Sequence, residues 1–518
     1  VRLSGVITFI RAYITAFSYP AGFSFFTPDR EYQDLNAALS TENKFFFTAK
    51  KIIDGRYTKR IYDEEVKPPL DRIPAMLDKL PISDDEKQRL SSFVYREAEA
   101  YGRKYAEEYT NYYNKFSINA DSVGELRFII NQILLPMSQF QEFMLTLKNN
   151  LELDYGKNDY FKPIMMQLGS LGFMKIIMQN EKDFFPELEK YKAILRMMLT
   201  DLDTDGSMLI PEPGSETADL ERVLSPAARI TLGVFRNDAD SYVKLIQKWT
   251  TSMGVPEHMS YPFLEPVYQI YSLGLKDLNT QVAGLWNKMK QKYLGKDLER
   301  FPFNRDAATD ADPQNIIKLM KPDGNFWTQF KMYIAPLCRE VEGKWVKREF
   351  DMGSIELPDA MLTSVNRLKR LSGLLVDEKN EPKPLLVEIQ ADMLPTVENR
   401  IQYVVLTYLQ SGSSAVYGFN QRPAWEPFKI NWWKASQSSI GVEFSSGEKD
   451  RAKTYKTDTI PNSYWSFYRL LQKASFDAKT NAWTWAVDSP DNIKWKRAVT
   501  FFIKQNPFEI YTENRIDR

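Results

Sequence analysis

The densest set of potential ligand atoms in the 518 residues is Asp201-Leu202-Asp203-Thr204-Asp205-Gly206-Ser207-Met208-Leu209-Ile210-Pro211-Glu212. It satisfies the pattern D-x-D-x-D-G-x5-E, in which carboxylates at alternate positions converge on one point, a glycine allows the sharp turn and a distant glutamate closes the site with both oxygens. Asp201, Asp203, Asp205, the Ser207 carbonyl and Glu212 are therefore the candidate ligands of a calcium loop, entered from a helix ending near residue 199. Pro211 and Pro213 stand where an exit helix should begin, which does not suit a paired helix–loop–helix site. An unpaired calcium loop and a solvated acidic turn both remain open. Calcium is the one cofactor suggested, and none is required.

Other chemistry is limited by residue type. The only cysteine, Cys338, has no intramolecular disulfide partner, and with a single histidine, His258, no thiolate or imidazole metal cluster can form. His258 lies in the turn-like Gly254-Val255-Pro256-Glu257-His258-Met259 and Cys338 in a helix-like stretch, positions where such residues are ordinarily structural. There is no phosphate-binding G-x-x-x-x-G-K-[ST], and Gly412-Ser413-Ser414-Ala415 misses the nucleophile-elbow pattern. Carboxylate pairs such as Glu97/Glu99 fall on polar helix faces, where they more often serve solubility than acid–base catalysis. No catalytic residue is assigned. Lys+Arg and Asp+Glu both number 68, so there is no basic excess to hold nucleic acid. Hydrophobic residues at 43% and aromatics at 14% exclude a disordered chain.

The elements that would carry these residues fall into two patterns. From Val1 to about residue 348 the periodicity is helical. Ser83 followed by Glu86 reads as a capping box, and Leu90, Val94, Ala98, Tyr101, Tyr105, Tyr109, Tyr112 and Phe116 then mark one buried stripe of a long helix. Further helices are expected at 126–150, 185–199, 238–251, 267–293, 325–337 and 358–375. Beyond Pro382 the apolar period changes to two: Leu385, Val387 and Ile389 alternate, as do Tyr403, Val405 and Thr407. Strands are expected at 385–390, 403–408, 428–433, 440–444, 483–487 and 495–503, with one inserted helix at 464–474. Trp483 and Trp485 alternate along a strand as core residues. The fold class is α+β, a long multi-helix body followed by a C-terminal β-sandwich-like domain. The expected divisions are 1–116, 117–300, 301–380 and 381–518. Between residues 3 and 26 Arg11, Tyr19 and Pro20 interrupt the apolar run, so no stretch reaches the roughly 20 residues that span a bilayer. The chain is expected to be a partial or processed one, with any span upstream.

Several segments resemble the IcmF/TssM family of bacterial type VI secretion systems, in its large periplasmic part. They are Arg300-Phe301-Pro302-Phe303, then Leu319-Met320-Lys321-Pro322-Asp323-Gly324-Asn325-Phe326-Trp327-Thr328-Gln329-Phe330, then Ile334-Ala335-Pro336-Leu337. A second block is 427–433 followed by Tyr464-Trp465-Ser466-Phe467-Tyr468-Arg469-Leu470-Leu471, and a weaker one is 107–116 with 126–151. Met320, Lys434 and Met137-Ser138-Gln139 depart from the family pattern, as in a divergent member. None of these motifs is catalytic in its physics; they define an architecture.

The resemblance implies a non-enzymatic scaffold crossing the periplasm, anchored to the inner membrane through segments absent from this chain. It implies docking of an outer-membrane lipoprotein (TssJ-like) by the C-terminal β region, association with a small inner-membrane TssL-like protein, and self-association into a ring. The loop residues Gly412, Ser413, Arg422, Trp425 and Glu448 are the candidates for partner contact, with ordinary solvent loops as the alternative for each. A related envelope scaffold of a type IVB system would differ only in partners. The competing classes are a periplasmic or secreted carbohydrate-active enzyme using paired carboxylates and Trp stacking, and a calcium-dependent binding module. No nucleic-acid partner is expected.

Overall fold

The computed structural model describes residues 25–26, 30–35, 52–180, 184–203, 220, 222–350, 353–396, 403–445, 452–487 and 498–512. The chain divides into two compact units, Val1–Leu278 and Asn279–Arg518.

The first unit is built of helices around aromatic side chains. Its longest complete helix, Asp84–Tyr113, starts at the expected capping box: the Ser83 hydroxyl accepts from the Glu86 backbone N–H at 3.3 Å, and the Glu86 carboxylate accepts from the Ser83 N–H at 2.9 Å. The tyrosine stripe then buries itself at three- and four-residue spacing. Tyr105 and Tyr109 stack at 4.9 Å, and Tyr113 packs against Phe143, Phe173 and Phe263. Burial pushes the phenols of Tyr101, Tyr105 and Tyr113 well up, so these side chains stay neutral. The Tyr105 hydroxyl gives its proton to the Asn150 carbonyl at 2.6 Å, tying the stripe to the next helical layer. Ser83→Ala removes one side of the box and is expected to cost about 1 kcal/mol. Urea unfolding checks this: the midpoint should fall while the slope stays fixed.

The single helix expected at 126–150 is two, Val123–Leu134 and Gln139–Leu151. Pro136 and the positive φ of Met137 (53°) stop the first, and Ser138 caps the second by accepting from the Gln141 N–H at 3.1 Å.

In the second unit the helices Pro313–Met320, Asn325–Tyr333 and Asp359–Leu375 precede most of the strands. A hairpin lies among them, β1 (Cys338–Val341) and β2 (Lys344–Lys347), turned by Glu342 and Gly343, both at positive φ. Cys338 therefore opens a strand, where helical spacing had been expected. Short strands β3 (Glu349–Phe350) and β4 (Gly353–Ser354) follow. The remaining strands are β5 (Leu385–Ala391), β6 (Tyr403–Ser411), β7 (Ser414–Gly418), β8 (Glu426–Ile430), β9 (Ser436–Ser445), β10 (Ala452–Ser463), β11 (Ser475–Asp477), β12 (Ala482–Ala486) and β13 (Ala498–Ile503). They form two antiparallel sheets, a four-stranded one in the order β10-β9-β6-β7 and a five-stranded one in the order β11-β12-β13-β5-β8. The fold class is α+β with a sandwich-like C-terminal part, as the periodicity indicated.

Alternation fixes which face is buried. Val387, Ile389, Phe428, Ile430, Val499, Phe501, Trp483 and Trp485 point inward from one sheet, and Val404, Leu409, Val416, Ile440, Val442 and Phe444 from the other. The sheets meet where β7 approaches β5 and β8: the Ser414 hydroxyl donates to the Lys429 carbonyl at 2.9 Å, and Gly418 leaves no room for a Cβ against Ala391. The inserted helix Ser466–Gln472 lies on β9 and β10.

Candidate functional site

The two strongest motif blocks, more than a hundred residues apart in sequence, form one aromatic cluster inside the second unit. Trp465 is wholly buried, stacks on Trp432 at 5.5 Å and meets Phe303 edge to face at 6.1 Å. Its indole N–H donates to the Ala311 carbonyl at 2.6 Å. The Arg469 guanidinium lies 3.7 Å from the Phe301 ring centroid, bonds the Asp310 carboxylate through Nε at 2.9 Å, and donates to the carbonyls of Ala307 and Ala308. Arg suits this place because its planar fork stacks and donates at once. Phe303, Tyr468 and Tyr511 close the cluster around Trp465. The arrangement clamps segment 301–311 onto the helix Ser466–Gln472, a packing role.

The β6–β7 hairpin and the connection that follows it carry several exposed aromatics. Tyr408 and Tyr417 are directly opposed across the hairpin, with ring centroids 6.5 Å apart, and Tyr417 stacks on Phe419 at 6.0 Å. Tyr408 lies over Gly441 of β9, where a Cβ would collide with its ring. That cover leaves Tyr408 buried, whereas Tyr417, Phe419 and Trp425 keep 42%, 42% and 43% of their surface exposed. Tyr417 lies on β7, Phe419 just beyond its end and Trp425 in the connection to β8; exposed aromatics of this kind are the side chains that anchor protein–protein interfaces.

The structure separates the loop candidates. Gly412 and Ser413 form the two-residue turn between β6 and β7, with Gly412 at φ 55° in the first central position, which only a residue tolerating positive φ fills well. The Gly412 N–H donates to the Gln437 carbonyl at 3.0 Å, and Ser438 bonds both Ser411 and Ser466 at 2.7 Å, so the turn is tied to its own sheet. Arg422 and Trp425 belong to the connection between β7 and β8, at the other end of β7. A five-residue strand at about 3.3 Å per residue puts the two groups about 15 Å apart. Glu448 lies outside the described residues. Tyr417 and Phe419 carried no sequence signal of their own. Recognising the Gly412-Ser413 turn as a hairpin would have placed Tyr417 opposite Tyr408.

Of the acidic loop, Asp205, Ser207 and Glu212 lie outside the described residues. Asp201 and Asp203 occupy the last turn of the helix Pro186–Asp203, where Asp201 accepts from the Tyr242 hydroxyl and Asp203 pairs with Arg127. Among the described residues no group of three or more His, Cys, Asp and Glu side chains is placed to hold a metal ion. His258 is exposed on the short turn Glu257–Met259.

Cys338 is buried, and burial pushes its thiol up to about 12. The folded value exceeds the unfolded one of about 8.5, so the folded state keeps the proton longer; this stability is present below about pH 8.5 and is lost as pH rises toward the folded value. A disulfide reagent near pH 8 should leave the native chain unmodified and label it in concentrated guanidinium. Rapid labelling of the native chain would contradict the burial.

No protein-family model matches the sequence, and no curated protein matches it. Among solved structures the chain is similar to a chain of a type VI secretion system membrane core complex, at 16% identity and a TM-score of 0.49 over 94% of each chain. It is also similar to a chain of a type VI membrane complex, at 14% identity and a TM-score of 0.45 over 89% of this chain and 83% of that one. A third similarity, at 17% identity and a TM-score of 0.32, covers 47% of this chain and 94% of the C-terminal domain of the T6SS protein TssM from EAEC. Among the described residues no helix is long and apolar enough to cross a membrane.

Proposed function

We propose that this chain is a structural, non-enzymatic part of a type VI secretion membrane complex, working in the periplasm and docking an outer-membrane lipoprotein through the exposed aromatic surface of its C-terminal β unit. The observation that carries the reading is the convergence of the motif blocks: Phe301, Phe303, Trp432, Trp465 and Arg469 lie in segments that resemble the family and assemble into one interlocked cluster, with Asp310 bonded to Arg469. Segments that define an architecture are expected to meet in its core, and these do.

The β6–β7 hairpin supplies what a docking end requires. Its turn is fixed by backbone and serine hydrogen bonds, and Tyr417 is held by Tyr408 and Phe419, so ordering these rings on binding costs little conformational entropy. Tyr417, Phe419 and Trp425 offer apolar area, and Arg422 offers a donor at the rim. Self-association into a ring and contact with a small inner-membrane protein belong to the same reading, as does anchoring by segments outside this chain. Co-expression with the lipoprotein ectodomain of the same secretion locus, followed by affinity purification through this chain, tests the docking. A stoichiometric complex surviving gel filtration is expected; recovery of this chain alone would contradict it.

A further inference from the structure

In the second unit a half-open cleft of about 560 Å³ lies between the helix Asn325–Tyr333, the β1–β2 hairpin, the helix Asp359–Leu375 and the turn that follows it. Its size is that of a small-ligand site. The lining is aromatic on one side: Trp327 and Phe330 meet edge to face at 5.7 Å, and Phe330 and Trp345 at 5.2 Å. At exposed Gly373 on the opposite helix, a Cβ would meet no atom within 4 Å.

Three lysines and three acids line the cleft, so formal charge selects nothing and the bonding state of each group decides. Glu340 is paired with Lys369 at 2.7 Å, and that ammonium also lies 5.5 Å from the Trp345 ring centroid. Asp377 accepts from the backbone N–H groups of Lys379 and Glu381 at 2.9 Å each. Glu378 is exposed to solvent. Lys331 and Lys383 each give one N–H to a backbone carbonyl, of Pro322 at 3.0 Å and of Gly373 at 3.1 Å. An ammonium has three donors, so both retain donors for an anion. Trp327 adds a buried indole N–H with no acceptor among the described residues, a group that ordinarily finds one.

We propose that this cleft binds an amphipathic carboxylate, with its aromatic or apolar body against Trp327, Phe330 and Trp345 and its carboxylate held by Lys331 and Lys383. A free small-molecule acid and the C-terminal residue of a polypeptide offer this same chemistry. None of its lining residues belongs to the surface proposed for lipoprotein docking.

Isothermal titration of the whole chain tests it with four probes: indole-3-propionate, tryptamine, and an N-acetylated tripeptide ending in tryptophan, either as the free acid or as the amide. At least one of the two acids should bind with a sub-millimolar Kd, and tryptamine and the amide should bind at least about tenfold more weakly than the acid. Binding of indole-3-propionate identifies a free acid as sufficient; binding of the acid peptide alone identifies a chain terminus. The double variant Lys331→Ala/Lys383→Ala should lose at least about tenfold in affinity. Gly373→Leu should abolish binding by filling the open space, without lowering the melting temperature, because leucine is the better helix former. Absence of heat with both acids up to about 10 mM, equal binding of tryptamine, or undiminished binding in the lysine double variant would overturn the proposal.

Discussion

Trp465→Ala is expected to lower the melting temperature of the second unit by about 10 °C. Trp465 has no exposed surface, stacks on Trp432, and is ringed by Phe303, Tyr468 and Tyr511. Truncating a buried Trp to Ala costs about 3–5 kcal/mol through lost transfer free energy and the cavity left behind. The same change removes the donor to the Ala311 carbonyl, which is then left without this partner. In a domain of 150–250 residues each kcal/mol is worth about 2–4 °C, which gives the expected shift. Trp465→Phe keeps most of the ring volume and should lose far less. Calorimetry on the three proteins checks the order, and a shift below about 3 °C in the alanine variant would mean that the cluster is not what holds segment 301–311 to the sandwich.

The second large effect is on binding. Tyr417→Ala combined with Trp425→Ala should weaken the complex with the lipoprotein ectodomain by about 30-fold or more, since a central aromatic anchor contributes about 2 kcal/mol or more. Both side chains are more than a third exposed and neither closes the core, so the melting temperature should hardly move. Titration calorimetry reads the affinity. A change below about threefold would place the docking surface elsewhere on the unit. Gly412 and Ser413, at the other end of β7, should tolerate substitution far better in binding than Tyr417 does; replacing Gly412 instead strains a turn held at positive φ.

Sequence periodicity revealed those parts of the fold that bury a single face. The tyrosine stripe of Asp84–Tyr113 and the alternation Leu385, Val387, Ile389 each show one apolar face at the period of their element. It failed where the apolar face is weak. β10, Ala452–Ser463, carries Lys, Thr and Asp over much of its length, and as an edge strand it gives little periodic signal. The β1–β2 hairpin was hidden because the apolar residues up to Leu337 continue helical spacing into Cys338; only Glu342-Gly343 marks the turn. Pro136 and Ser138 were the missed punctuation between Val123–Leu134 and Gln139–Leu151.

The candidate site was legible only in part, for a physical reason. Arg422 and Trp425 were visible as polar and aromatic loop residues, but Tyr417 and Phe419 become a surface only when the hairpin sets Tyr417 against Tyr408 and stacks it on Phe419. Phe303 and Trp465 stand in motifs that the sequence marks as architectural, yet their contact depends on a tertiary fold that no local spacing specifies. The aromatic cleft beside Lys331 and Lys383 likewise draws its walls from four elements and left no mark in any one of them.

Photo-crosslinking in cells carrying the secretion locus tests the central claim most directly. A photoreactive residue is placed at Tyr417, at Trp425, or at Leu386, which is exposed on the five-stranded sheet. The expected result is a crosslink to the outer-membrane lipoprotein from Tyr417 and Trp425 and none from Leu386. Absence of that crosslink from both aromatic positions, with the lipoprotein present and secretion active, would contradict the docking assigned to this surface.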